Sequence, residues 1–194
     1  MEKYKWADPQ SKTAFPIARA GYPFIFAFAF ITAVLALIGL TVLTVVSLIV
    51  TVFTCCFFRD PDRVIPEGNG LVVSPADGKV VALASAPDSP LGKDSCLKIS
   101  IFMSIFNVHV NRVPCDGTIT AIDYHPGKFF SANLDKASVE NEHNKIFLRT
   151  ENNQRICFVQ IAGLVARRII CHLTGDETVI RGQRFGMISL QSLV

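Results

Sequence analysis

Between Arg19 and Arg59 the chain carries no charged residue, a gap of 39 positions from Ala20 to Phe58 filled mainly by Phe, Ile, Leu, Val and Ala. One membrane-spanning helix needs only about 20 apolar residues. A single straight helix of this length would measure about 58 Å, against a hydrocarbon core of about 30 Å. A secretory signal has a shorter apolar core, about 7 to 15 residues, so removal of this segment is not expected. Gly39 lies near the middle, and the preferred reading is a helical hairpin with arms from Pro23 to Ile38 and from Leu40 to Phe57. Each arm is somewhat short for a full crossing, which leaves a shallow re-entrant hairpin open as well.

The rest of the composition agrees with a membrane protein: half of the 194 residues are hydrophobic and 18% are charged. Lys3, Lys5, Lys12 and Arg19 precede the run, and Arg59 and Arg63 follow it. Basic flanks tend to stay in the cytoplasm, and a hairpin lets both sets do so. The expected location is therefore the cell membrane, with the polar remainder on the cytoplasmic face. A net charge of +3 suits anionic lipid as well as simple anchoring, and no nucleic-acid partner is expected.

Residues 59–70 read as a linker, with Pro61, Pro66, Gly68 and Gly70. Beyond it, short β-branched runs are punctuated by turns: Leu71 to Val73, Lys79 to Ala84, Cys96 to Phe102, Val108 to Val113 and Gly117 to Tyr124. Further runs are Lys145 to Thr150, Arg155 to Ile161, Ala166 to Cys171 and Phe185 to Ser189. That spacing predicts a mainly β fold, a compact domain over 71–194 behind a basic segment (1–19), the hairpin (20–58) and the linker. The six cysteines show no Cys-x-x-Cys spacing and read as reduced thiols. Four dispersed histidines make no zinc pattern, so no metal is expected.

Two segments carry chemistry. Ser74-Pro75-Ala76-Asp77-Gly78 puts a carboxylate in a turn, and Phe106-Asn107-Val108-His109-Val110-Asn111-Arg112 puts an imidazole on a strand. Strand alternation turns Val108 and Val110 to one side and Asn107, His109 and Asn111 to the other. Asp before Gly is also an ordinary turn signature, and a lone strand histidine is often just a satisfied polar group. A carboxylate and an imidazole can nonetheless activate a hydroxyl, and Ser192 supplies one.

From about Pro16 to Ile188 the chain resembles the short, membrane-anchored branch of the phosphatidylserine decarboxylase proenzymes. The likeness rests on the order of Phe57-Phe58-Arg59-Asp60-Pro61, the two segments above, Asp135-Lys136-Ala137-Ser138, Ala166-Arg167-Arg168-Ile169 and Arg184-Phe185-Gly186-Met187-Ile188. It implies a lyase that makes phosphatidylethanolamine and carbon dioxide from phosphatidylserine in phospholipid biosynthesis. Its cofactor would be a covalent pyruvoyl group made by self-cleavage at the chain's own serine, whose carbonyl takes up the substrate amine and accepts electrons as carbon dioxide leaves. By resemblance, Asp77, His109 and Ser192 are the catalytic residues, with Ser192 the pyruvoyl precursor, and His109 could also serve proton transfer. Lys136, Arg167 and Arg168 are candidate contacts to the lipid phosphate or carboxylate, although neighbouring strand residues face opposite ways and only one of the two arginines should reach a given site. His143 stands where arginine is expected.

The chain departs from the pattern after Ile188. Family members continue into a Gly-Ser pair and a final segment of roughly thirty residues, the pyruvoyl subunit, whereas this chain reads Ser189-Leu190-Gln191-Ser192-Leu193-Val194. That subunit is therefore expected to be missing, or supplied as a separate complementing polypeptide. Gln191 replaces a glycine at the cleavage position and should slow or prevent cleavage. Two readings stand: a decarboxylase proenzyme, and a catalytically silent, membrane-anchored lipid-binding protein that keeps the fold. Self-cleavage separates them.

Overall fold

A computed structural model describes residues 4–6, 16–86, 89–92, 95–131 and 140–190. Two helices, α1 (Tyr22–Leu37) and α2 (Thr41–Phe57), form the expected hairpin, with α1 preceded by one 3-10 turn at Arg19–Gly21. The chain reverses at Gly39, whose φ of 76° lies in the left-handed region that favours glycine. Arg19–Leu37 is the one described helical stretch long and apolar enough to cross a membrane; Thr41–Phe57 is apolar and shorter. Thr32 Oγ1 lies 2.7 Å from Ser47 Oγ and 3.2 Å from Thr51 Oγ1, so three hydroxyls tie the arms where the surroundings are otherwise apolar. At the open end, the Ala18 N–H donates to the Phe58 carbonyl at 2.8 Å and the Asp60 N–H to the Pro16 carbonyl at 2.9 Å. Phe24 stacks on Phe58, with ring centroids 5.4 Å apart, which seals that end.

Eleven described strands accompany the hairpin. β1 (Tyr4–Trp6) pairs with β2 (Val64–Pro66), and β3 (Lys79–Ala86) pairs with β4 (Cys96–Phe102). A four-stranded sheet has the order β10 (Thr178–Val179), β6 (Gly117–His125), β7 (His143–Arg149), β8 (Arg155–Ile161). A three-stranded sheet sets β11 (Arg184–Leu190) between β5 (Val110–Arg112) and β9 (Ala166–Cys171), antiparallel to both. Ile119, Ile146, Leu148 and Phe158 from the larger sheet pack with Val113, Val179 and Phe185 in the main core, their alternation supplying the buried face. A second cluster of Phe57, Phe58, Val108, Val110 and Met187 joins the hairpin base to the smaller sheet.

Three differences from the sequence reading have physical reasons. Leu71 to Val73 is not a strand: it meets its neighbour through one bond, Val73 N–H to the Pro114 carbonyl, because Pro114 has no N–H to continue a ladder. β2 and β10, only three and two residues long, are too short for alternation to register. Finally, among the described residues β3 and β4 pair only with each other, so with no further strand or layer over them they expose Val80, Val81, Leu83, Leu97 and Ile99.

The motifs at the two ends of the resemblance meet in space. Arg184 donates through Nε to both oxygens of Asp60, at 2.9 and 2.7 Å, and through Nη2 to Asp62 at 2.6 Å. Arg112 adds contacts to Asp60 at 3.2 Å and to the Pro61 and Gly182 carbonyls at 3.1 Å each. Gly186 lies so close to β9 that a Cβ there would sit 2.0 Å from the Ile170 carbonyl oxygen. Gly186→Ala should therefore prise β9 from β11 and lower stability by about 1 to 3 kcal/mol, read as an earlier thermal unfolding midpoint in detergent.

Candidate active site

His109 immediately precedes β5. Its Nδ1 lies 2.9 Å from the Asn107 carbonyl, which can only accept, so Nδ1 carries the proton and Nε2 keeps its lone pair. A local turn aims that carbonyl: the Ser104 N–H and Oγ both donate to Asn107 Oδ1 at 2.8 Å, and the Asn107 N–H returns to the Ser104 carbonyl at 3.0 Å. The imidazole stacks on Phe57, the last residue of α2, with centroids 4.1 Å apart and planes 28° from parallel. Only 3% of His109 is exposed. Burial pushes its pKa down to about 4; the Asn107 bond opposes the shift and the Arg59 charge adds to it. At neutral pH His109 is thus an uncharged base whose orientation comes from the backbone and an aromatic wall.

Asp77 stands in the turn before β3, where the Ser74 hydroxyl donates to the Ala76 carbonyl at 2.7 Å. The glycine after it is required by a close approach, since a Cβ at Gly78 would sit 2.4 Å from the Phe102 carbonyl oxygen in β4. The Arg112 N–H donates to the Pro75 carbonyl at 2.9 Å, docking this turn against β5. Asp77, Arg63, Arg112, Val108 and Val110 share the wall of a surface cavity of about 150 Å³. The Asp77 carboxylate is ion-paired with Arg63. Asp77 and His109 are therefore brought to the same strand, but no hydrogen bond joins them among the described residues, and the valines beside His109 face Asp77's cavity.

β11 runs alongside this strand. Met187 is in register with Val110, and the Ile188 N–H lies 3.3 Å from the His109 carbonyl, so β11 heads toward the Phe106–Asn107 turn. Ser192 follows two residues after the strand and lies outside the described residues, as does Lys136. Ser189 is described: its position in β11 is buried, opposite Arg168 of β9. Arg167 donates through Nε to the Leu164 carbonyl at 2.8 Å and stacks its guanidinium over Phe129 at 5.5 Å. His143 gives its Nδ1 to the Asn141 carbonyl at 2.7 Å and stacks on His125 at 4.8 Å, so it belongs to the β6–β7 pair. No group of three His, Cys, Asp or Glu converges on a metal position among the described residues.

Sequence reasoning quoted Phe57 and Asn107 only as parts of motifs and assigned them no contact with the imidazole. The available signal was position: Phe57 is the penultimate residue of the apolar run, just ahead of a charged pair, where a helix terminus meets the domain. Arg63, counted as a basic flank, proves to be the partner of Asp77.

Taken together, these features define a strand-rich domain, carried on an apolar helical hairpin, that presents a buried neutral histidine beside β11. The phosphatidylserine decarboxylase family model matches residues 50–194, and the chain belongs to that family. A phosphatidylserine decarboxylase proenzyme from Syntrophus aciditrophicus is 52% identical over 178 residues, covering 91% of this chain and 83% of that protein. Proenzymes of the same name from Rickettsia bellii and Solidesulfovibrio magneticus are each 48% identical, over 92% and 91% of this chain and 78% and 82% of their own lengths.

Proposed function

We propose that this protein is a pyruvoyl-dependent phosphatidylserine decarboxylase proenzyme, a carboxy-lyase that converts phosphatidylserine to phosphatidylethanolamine and carbon dioxide. The observation that carries the reading is His109, a neutral imidazole with its lone pair on Nε2, beside the strand that leads to Ser192. In this reading His109 Nε2 takes the proton from the Ser192 hydroxyl as that oxygen attacks the Gln191 carbonyl carbon; the ester forms as the Gln191–Ser192 peptide bond breaks, and the imidazole returns the proton to the freed Ser192 amine. The pyruvoyl group, once formed, supplies an electrophilic carbonyl that withdraws electrons from the substrate carboxylate as carbon dioxide departs.

Asp77 is proposed as the carboxylate of the trio, acting on the cavity beside β5 once Arg63 yields it. Lys136, Arg167 and Arg168 are proposed as the cationic contacts for the lipid phosphate or carboxylate, a task for which guanidinium forks are well shaped. The hairpin sits in the cell membrane with the domain on the cytoplasmic face, as the basic flanks favour. A separate small polypeptide carrying the pyruvoyl could complement the chain.

The test is the intact mass of the protein purified in detergent from its own cells, under denaturing conditions. A large fragment ending before Ser192 or Ser189, with a pyruvoyl-blocked partner, upholds the reading even if Gln191 makes its formation slow. A single uncleaved chain of 21.3 kDa overturns the reading and leaves a silent lipid-binding protein. Because burial already holds the imidazole's pKa at about 4, the cleavage rate should be flat from about pH 5.5 to 8, whereas an ordinary histidine base would lose half its activity near its usual value of 6.5.

A further inference from the structure

Three chain segments converge at one end of the β5–β11–β9 sheet. Ala166 at the start of β9 pairs with Leu190 at the end of β11, while Ile188 bonds the strand at His109, so the turns 104–107 and 163–165 flank the end of β11. This end abuts the membrane hairpin. Ala166 and Leu190 pack on the cluster that includes Phe57 and Phe58, with Phe53 and Phe24 beside them.

The residues at the tips of these turns are large, apolar and uncovered. Ile105 is 37% exposed, Phe106 70%, Leu164 53% and Val165 51%. Apolar exposure alone decides nothing here, because the β3–β4 pair also exposes Leu83 at 66% and Leu97 at 67%. What distinguishes the turns is depth. The Phe106 ring meets the Phe53 ring edge-on, with centroids 6.4 Å apart. Phe53 stands one turn before the end of α2, about 6 Å further along the helix from its mouth. A helical side chain also leans toward the helix N-terminus, which here is the interior of the hairpin. Phe106 therefore reaches the level of a residue inside the apolar segment, although it belongs to the β domain.

Charge completes the picture. Arg167 donates to the Leu164 carbonyl and lies over Phe129, and Lys128, ion-paired with Glu140 at 2.8 Å, lies over the Phe130 ring at 5.4 Å. Arg59 donates to the Phe106 carbonyl at 2.7 Å. Apolar tips with cations behind them, stems laid on aromatic rings, match the headgroup boundary of a bilayer, where ring faces enter the acyl region and cations meet phosphates.

We propose that Ile105–Phe106 and Leu164–Val165 form a second lipid contact, inserting into the headgroup boundary of the same bilayer that holds the hairpin and setting the domain's sheet end against the membrane surface. This rests on the reading of the hairpin as membrane-embedded. It sets the sheet end beside His109 against lipid rather than bulk water, so a phospholipid need only slide along the surface.

The test is emission quenching of single tryptophans in the full chain, in nanodiscs whose phosphatidylcholine carries bromine near the headgroup end of the acyl chains. Trp6, the one tryptophan of the sequence, is first changed by Trp6→Phe. Phe106→Trp, Leu164→Trp, Ile49→Trp and Leu83→Trp then probe the two turns, the middle of α2 and the exposed β3–β4 pair. The expected result is quenching on the order of twofold at 106 and 164, quenching at 49 that grows when bromine is placed deeper, and none at 83. Quenching at 49 without quenching at 106 and 164 overturns the second contact and leaves the hairpin reading intact. No quenching at 49 overturns both. Blue-shifted but unquenched emission at 106 and 164 means that polypeptide, from a second copy or another chain, covers the turns, and equal quenching at 83 means unspecific adsorption; each result overturns the proposal.

Discussion

His109→Ala should leave the domain folded and slow release of the C-terminal piece by about a hundredfold to ten-thousandfold, the range a positioned general base contributes. The expectation follows from one atom. Nδ1 is committed to the Asn107 carbonyl, and burial keeps the ring uncharged, so the basic lone pair is the one on Nε2. A time course of intact mass after synthesis checks it, and retention of the wild-type cleavage rate would remove His109 from the proposed machinery. The same burial gives the residue a cost in acid. Its folded pKa, about 4, lies below the ordinary histidine value of 6.5, so the unfolded chain binds the extra proton between those values. Stability is full above about pH 6.5 and declines as pH falls toward 4, by about 3 kcal/mol in all. His109→Ala should flatten that acid limb while lowering the plateau.

Asp60→Asn should be the most damaging single change outside the candidate site. Asp60 is the shared acceptor for Arg112 and Arg184, whose side chains are 9% and 18% exposed, and its own is 16% exposed. Burial has already pushed Arg112 down to about 10, with the Arg184 charge adding to the shift and Asp60 opposing it. Removing the carboxylate leaves two guanidinium groups facing each other with little water, a loss of about 3 to 5 kcal/mol. Arg184 keeps Asp62, which argues for the lower end. Thermal unfolding in detergent measures it, and a change under about 1 kcal/mol would mean that solvent screens the cluster. Arg63→Ala serves as the contrast: its pair with Asp77 is 43% and 37% exposed, so about 1 kcal/mol or less is expected there.

The hairpin was legible because the absence of charge over 39 positions leaves a chain few options, and Gly39 marked its turn. Its observed arms, Tyr22–Leu37 and Thr41–Phe57, fall within about one residue of those expected. The longer strands were legible for a similar reason: alternation over seven or more residues, as in β7, repeats often enough to be seen. Illegible were the contacts that close across large sequence distances. Nothing local says that Asp60 holds Arg184, that Arg63 takes Asp77, or that Phe57 walls His109. Motif order signalled that such residues matter together, and geometry supplied the partner. Arg167 and Arg168 show the middle case. Alternation set them on opposite sides of one strand, but the stacking of Arg167 on Phe129 depended on a turn nearly forty residues away.

The position of β11 also sets a clock. It follows every other described strand in the chain, yet it occupies the centre of the β5–β11–β9 sheet, with β5 and β9 waiting on either side. A ribosome releases those flanking strands first, and they have no neighbour in that sheet until the last one arrives. Long-range pairing of this kind is slow, since the loop must close before any contact rewards it. The strand beside His109 is therefore completed after every other described strand. A proenzyme built this way carries its own delay, and the base meets the segment it is proposed to act on only after the hairpin and the other described strands have left the tunnel.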